Sequence, residues 1–336
     1  MRVVDVAPLA RRPLHNMTDA PPEQRNFGLV GLSKARFAIL LTVFLGPAVA
    51  IYTLFAVYPL IATIAYAMYH VAPDGSSRFA GLDNFRTLLF DDTWSKPFWN
   101  AFRNNCWFFL IHMLVQNPIG LLLAALLSQS KLTGRAAYRT LIFMPTMLSV
   151  VIIGFIWQLI LSPLWGVSKT FLAAVGLQSW FAPWLGLESS ALITISLMSV
   201  WQFVGIPMIL IYTALIAIPE DFIDAARVDG LNARQIFTHI KLPLIAPTIG
   251  LVSVLTFVNN FNAFDLIYAV KGAIAGPNFA TDIMGTFFYR TFFGHQLQLG
   301  DRTMGSAVAT MMFLIILAGL MIYLVLIQRR LQRYSY

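Results

Sequence analysis

The sequence is poor in charge and almost free of cysteine. Only 11% of its 336 residues are Asp, Glu, Lys or Arg, against roughly 25% in soluble domains, which excludes an ordinary water-soluble globule. Its single cysteine, Cys106, excludes an intrachain disulfide and a paired-cysteine metal site. The five histidines, His15, His70, His112, His239 and His295, form no pair at metal-ligand spacing, and His112 reads as a packing residue. No Ser-His-Asp order and no paired buried carboxylates suggest catalysis, so neither metal nor reaction is expected of the chain itself. The phosphate-binding pattern G-x-x-x-x-G-K-S/T does not occur, and the nearest glycine-basic pair, Gly134-Arg135, lacks the loop. No internal repeat of fixed period is visible, which counts against secondary transporters built from duplicated halves.

What is present is apolar. Hydrophobic residues make up 58% of the chain. Runs with no charged residue but Asp265 recur at spanning length, since about 20 residues rising about 1.5 Å each match the ~30 Å hydrocarbon core. They are Phe37–Tyr69, Cys106–Ser128, Thr140–Leu161, Ser189–Ile218, Pro247–Val270 and Thr303–Ile327. Because a spanning backbone must satisfy its own hydrogen bonds, the expectation is an all-α integral membrane protein of six transmembrane helices over residues 35–328. Residues 1–34, polar and broken by Pro8, Pro13, Pro21 and Pro22, read as a disordered leader with no cleavable signal, and 329–336 as a short tail.

Basic residues set the orientation. With the N-terminus cytoplasmic, that side collects fifteen of the twenty-three Lys and Arg residues, among them Arg11, Arg12, Lys34, Arg135, Arg139, Arg227 and Arg330. Trp94, Trp99, Trp107, Trp157, Trp165, Trp180 and Trp184 then fall in outer loops or outer helix ends, where amphipathic rings prefer the interface. The net charge of +8 follows from this topology, with the lipid bilayer and not nucleic acid as the partner. Two outer loops, about 71–105 and 162–188, are too long for tight turns. The second carries 169–172 and Trp180–Trp184, apolar enough to lie in the interface as short helices.

The segment 218–246 is polar, too short to fold alone and too charged to cross a bilayer. Pro219 with Glu220, Asp221 and Asp224 suits a helix start, and Gly230 its left-handed close. Asn232 can cap a second helix, with Gln235 reaching back and Pro243 stopping it. The result is a helix-turn-helix elbow along the inner membrane surface, showing small Ala225 and Ala226 on one side. Taken alone, it reads equally as any cytoplasmic loop holding an amphipathic helix.

Within the fifth run, Asn259, Asn262 and Asp265 recur every three residues beside Asn260, forming one helical stripe. An Asp at membrane depth costs roughly 2.5–3.5 kcal/mol and must meet a partner or a wet cavity. The asparagines read either as hydrogen-bonding groups along a solute path, helped by Phe261, Phe264 and Tyr268, or as helix-to-helix contacts. Trp201 and Gln202 lie inside the fourth run, as cavity lining or as packing. Gln116, Asn117, Pro118 and Gln158 read as structural. Arg290 and Arg302 read as an attraction for anions or as helix-end contacts.

Asp224-Ala225-Ala226, Asp229-Gly230, Phe237, Ile240, Leu242-Pro243 and Pro247 closely resemble the EAA loop of binding-protein-dependent ABC importer permeases. The chain departs from that pattern with Asp at 224, which keeps the charge and shortens the reach by one methylene, and Leu at 231. Phe79-Ala80-Gly81-Leu82-Asp83-Asn84-Phe85, Trp201-Gln202 through Gly205, and Gly276-Pro277 with Ala280-Thr281 are similar to further blocks of carbohydrate-uptake permeases of the maltose-transporter first-subunit type. The resemblance implies a type I importer permease fold, with residues 224–243 coupling to a separate ATPase that binds ATP and Mg. It also implies a second permease, two ATPase copies and an extracytoplasmic solute-binding protein docking around 71–105 and 271–302. A proton-coupled transporter with Asp265 as carrier, and importers of glycerol phosphate, sulfonated sugars or polyamines, remain open at this point.

Overall fold

The computed structural model describes residues 34–71, 75–129, 132–296 and 299–328. The leader expected over 1–34, apart from Lys34, and the tail expected over 329–336 lie outside the described residues. The described residues divide into two compact units at Pro59 and Leu60. In the first, helix α1 (Lys34–Tyr52) and a π turn (Thr53–Val57) keep large apolar side chains such as Phe44, Ile51, Tyr52 and Phe55 exposed. Helix α2 (Tyr58–Tyr66) carries the chain into the second unit.

That unit begins with a hairpin of β1 (Tyr69–Val71) and β2 (Ser77–Phe79), antiparallel with Tyr69 opposite Phe79. Helix α3 (Asp83–Phe90) follows, and Asn84 at its start donates from Nδ2 to the carbonyls of Ala67 and Tyr69, both at 2.8 Å. The segment expected as an outer loop is therefore largely folded. Asp91 caps α4 (Asp92–Ile111) by accepting from Thr93 N–H, and so the helix starts fourteen residues before the expected Cys106. With a π turn (His112–Gln116) and α5 (Asn117–Leu127) it forms a single 36-residue helix. At about 1.5 Å per residue it outreaches the bilayer core.

Three of the four π turns among the described residues end two residues before a proline: Pro59, Pro118 and Pro243. Proline lacks an N–H, and its ring crowds the carbonyl four residues back. The widened turn takes up that strain, the last N–H before each proline reaching five residues back, to Thr53, His112 and Phe237. Pro243, expected from sequence to stop the helix, therefore sits inside it, and the helix ends one residue later. The helix runs from Ala233 through Leu244 and breaks at Ile245.

Among the described residues, three helices are long and apolar enough to cross a membrane, Phe37–Tyr66, Asp92–Leu127 and Arg302–Val325, and up to six if each of three bent pairs is one span. The expected run Thr140–Leu161 is one such pair, α6 (Arg135–Phe143) with a 3-10 turn (Met144–Met147) and α7 (Val150–Leu161), bent by 97° where Leu148 and Ser149 are extended. Between the pairs, α8 (Val167–Ala174) includes the expected 169–172 helix, whereas 181–183 are not helical, Pro183 following Ala182 there. The next pair, α9 (Glu188–Phe203) and α10 (Gly205–Ile216), bends by 42°. A Cβ on Gly205 would lie 2.9 Å from Phe143 Cα and 3.1 Å from Ile142 O, so the two bent pairs cross backbone to backbone there.

After the elbow helices α11 (Glu220–Val228), α12 (Ala233–Ile236) and α13 (Leu242–Leu244), the third pair turns by 65° into α14 (Ala246–Phe261). The fifth run does not continue as one helix. Asn262 and Phe264 leave helical geometry, and a separate α15 (Asp265–Lys271) begins. The remaining elements are α16 (Met284–Phe293) and α17 (Arg302–Ile322), the latter capped by Asp301 accepting from Thr303 and Met304 N–H.

Three apolar clusters hold the bundle, all threaded by the long helix. Phe98 and Ala101 pack with Leu88, Met284, Phe287 and Val308. Phe108 packs with Ile153, Ile195, Met198, Leu266 and Ile283. Ala124 and Leu127 pack with Met208, Ile211, Leu215, Ile245 and Val252.

Candidate functional site

Two features stand out from this packing: the elbow and a cavity between the second and third clusters. In the elbow, α11 starts with Glu220 and Asp221 against its positive end and finishes with Arg227, whose Nη1 meets Asp224 Oδ1 at 2.7 Å on an exposed face. Such a surface pair contributes little stability and chiefly orders the side chains. The helix closes in a Schellman motif, Leu231 N–H reaching Ala226 O and Gly230 N–H reaching Arg227 O, both at 3.0 Å. Gly230 there has φ +83°, a left-handed conformation that side chains resist. Asn232 then caps α12, its Oδ1 accepting from Gln235 N–H at 3.0 Å while Gln235 Oε1 accepts from Asn232 N–H at 2.9 Å.

The nine residues expected to form the coupling surface do not all face one way. Asp224, Ala225, Asp229 and Gly230 are exposed, Phe237, Ile240, Leu242 and Pro243 half-buried, and Ala226 buried at 3% exposure. The expectation that Ala225 and Ala226 share a displayed face is corrected. Adjacent helical residues point about 100° apart at 3.6 residues per turn, and Ala226 is the one turned inward.

The cavity encloses about 380 Å³ between α4, α9, α10, α14 and α15. Asn259, Asn260, Asn262 and Asp265 all line it. They do so across a helix break and not as the continuous stripe expected: Asn259 and Asn260 end α14, Asn262 is its C-cap, and Asp265 opens α15. Asn260, 5% exposed, donates from Nδ2 to Thr256 O at 2.7 Å, which turns its Oδ1 away without a hydrogen-bond partner among the described residues. Gln116 Oε1 on the same wall is also unpartnered. Asn262 and Asp265 are exposed.

Trp201 and Gln202 do not line this cavity. Trp201 is half-exposed and meets Trp157 edge to face at 5.7 Å. Gln202 is fully buried and donates from Nε2 to Leu148 O at 3.2 Å, meeting a carbonyl freed by the break before α7.

In their place the structure adds groups that sequence reasoning left as packing or passed over. His112 donates from Nδ1 to Phe108 O at 2.8 Å, and its Nε2 accepts from Ser199 Oγ at 2.9 Å. That pairing sets one neutral tautomer on the cavity wall. Thr256 Oγ1 lies 3.2 Å from Asn117 Oδ1 and joins α14 to α5. Lone Ser, Thr and His residues in apolar runs carry no periodic signal, so only their convergence in space marks them.

Arg290 is not available to an anion, contrary to one reading of the sequence. It is buried, its Nη2 2.7 Å from Asp282 Oδ2 and its Nη1 2.9 Å from Ala273 O, with the guanidinium over the Phe279 ring at 4.8 Å. Asp282 is fully buried, and burial pushes its carboxyl above the usual range against the lowering pull of Arg290 and Thr286. Lys271 lines a second, smaller cavity of about 240 Å³ and donates to Leu185 O; burial lowers its ammonium pKa.

A bundle of bent, apolar helices around a cavity whose largely apolar wall carries a few amides and one carboxylate, with an amphipathic elbow outside it, is the architecture of a membrane permease. Residues 116–333 match the family described as binding-protein-dependent transport system inner membrane component. The chain is 30% identical to the probable ABC transporter permease protein YurN of Bacillus subtilis (strain 168) over 82% of this chain and 91% of that protein. It is 29% identical to the probable starch degradation products transport system permease protein AmyD of Thermoanaerobacterium thermosulfurigenes, over 85% and 93%. It is 27% identical to the lactose transport system permease protein LacF of Rhizobium radiobacter, over 74% and 82%. The fold matches a chain of a bacterial ABC transporter involved in import of the acidic polysaccharide alginate, with TM-score 0.72 at 23% identity, over 89% of this chain and 97% of that one. The chain belongs to this family of inner-membrane permeases of binding-protein-dependent ABC importers.

Proposed function

We propose that this subunit forms half of the transmembrane pathway for a carbohydrate or carbohydrate derivative and is driven through its elbow by a separate ATPase. The carrying observation is mechanical. The elbow's second helix runs from Ala233 to Leu244 and turns at buried Ile245 into α14, whose far end presents Asn259 and Asn260 to the cavity. A push on 224–243 is thereby a push on the cavity wall, and a two-state change of access follows from closing and opening the ATPases. The relatives named for starch degradation products and for lactose support a carbohydrate solute. So does a wall of amide groups and apolar faces, suited to hydroxyls and sugar rings.

In this reading the elbow and both termini are cytoplasmic. ATP and Mg sit on two copies of the partner ATPase, a second, similar permease completes the pathway, and an extracytoplasmic solute-binding protein docks around 71–105 and 271–302. Gly230→Val tests the coupling. A Cβ there meets nothing within 4 Å in this chain, but valine opposes the left-handed backbone by about 1–2 kcal/mol. The variant should assemble with its partners and lose solute-stimulated ATP hydrolysis and uptake in proteoliposomes, while Gly230→Asn keeps part of both. Normal uptake by Gly230→Val would remove the elbow from the mechanism.

A further inference from the structure

Among the described residues lining the main cavity there is no lysine and no arginine. Its histidine, His112, has both ring nitrogens engaged by Phe108 and Ser199. The remaining ionisable group of the lining is Asp265, exposed at the first turn of α15. Deeper in, Asn260 Oδ1 is an unpartnered acceptor whose orientation is set by the bond from its Nδ2 to Thr256 O. The cations on adjoining elements are turned elsewhere: Lys271 lines the other cavity and binds Leu185 O, and Arg290 is paired with Asp282. The wall thus offers acceptors and one negative charge, with no positive group to receive an acid.

We propose that Asp265 is a charge filter: this half of the pathway admits uncharged polyhydroxylated solutes and rejects carboxylated or phosphorylated ones. The choice of polyhydroxylated solutes rests on the carbohydrate reading above; the charge rule does not. A solute carboxylate about 6 Å from Asp265, screened partway between a protein surface and bulk water, is disfavoured about tenfold. Asp265 would act on selection and need carry no proton.

The filter is tested without knowing the solute. In the assembled complex in lipid nanodiscs, with Cys106→Ser, a reporter thiol is placed by Asn262→Cys, or by Asn259→Cys should the first fail to fold. Its modification rates are compared for a cationic trimethylammonium-ethyl thiosulfonate and an anionic sulfonatoethyl thiosulfonate. The cationic reagent should be favoured, and adding Asp265→Asn should cut the cation-to-anion rate ratio up to about a hundredfold, since the charge slows the anion and speeds the cation by about tenfold each. A ratio that Asp265→Asn leaves unchanged overturns the filter. Uptake of lactose and of its carboxylated counterpart lactobionate is measured alongside, in proteoliposomes holding the full complex. A responsive reagent ratio with no uptake of lactose or other neutral disaccharides leaves the charge rule standing and sinks the carbohydrate reading. Uptake of lactose with an unresponsive ratio does the reverse.

Discussion

Replacing Arg290 with methionine removes one side of a nearly dry ion pair. Asp282 Oδ2 loses its 2.7 Å bond from Nη2, Oδ1 loses a 3.2 Å bond from Nη1, and the Ala273 carbonyl loses its 2.9 Å donor. What remains for the carboxylate is Thr286 Oγ1 at 2.7 Å. Breaking a buried pair from one side costs about 3–5 kcal/mol, because the other charge is left without compensation. On the scale of large domains that is a fall in Tm on the order of 10 °C. The assay is thermal unfolding of the purified complex in detergent across pH. A carboxyl whose folded-state pKa lies above its unfolded value adds stability at low pH, and that contribution is lost as pH rises through the folded pKa. Arg290 holds the Asp282 pKa down, so its removal moves that loss to higher pH. The deficit of Arg290→Met should therefore be largest at alkaline pH and shrink on acidification, as the orphaned carboxyl takes up a proton. Asp282→Leu combined with Arg290→Met should recover much of the loss. A single variant within a degree or two of wild type at alkaline pH, or a deficit that grows on acidification, would refute the reasoning.

Gly205→Ala should destabilise by about 1–3 kcal/mol, since its Cβ meets the Phe143 and Ile142 backbone, which cannot swing aside; unchanged thermal stability would mean the bent pairs do not cross so closely. Asn84→Ala removes two hydrogen bonds to the 67–69 backbone and should speed proteolytic cleavage within the 69–79 hairpin at an unchanged rate elsewhere, as peptide mapping can read. Ser199→Ala deprives His112 Nε2 of its donor and should cost about 1 kcal/mol, with Ser199→Thr restoring it; equal stability of the two variants argues against the bond.

The elbow was legible because its signals are local. Pro219, the acids at 220 and 221, Gly230 and the Asn232–Gln235 box each act within four residues, and each acts where it was expected. The bends were not legible. The run 140–161 is continuous in composition, yet Leu148 and Ser149 are extended, and the carbonyl of Leu148 is met by Gln202 from a distant helix. A hydropathy run records how greasy a segment is and not where its backbone turns. Pro243 marked the end of its helix to within a residue, the π turn before it letting the helix continue through the proline to Leu244.

The chain's own composition and short-range chemistry thus determined that it lives in a membrane as helices, that it carries an amphipathic elbow, and which amides and acid lie in its fifth apolar run. Tertiary structure alone decided that Asn259, Asn260, Asn262 and Asp265 meet across a broken helix around one cavity with Gln116, His112 and Ser199. It alone decided too that Arg290 belongs to Asp282 and Gln202 to Leu148. Period and propensity act over a turn or two of backbone, whereas a cavity and a buried ion pair join groups whose distance along the sequence bears no relation to their distance in space.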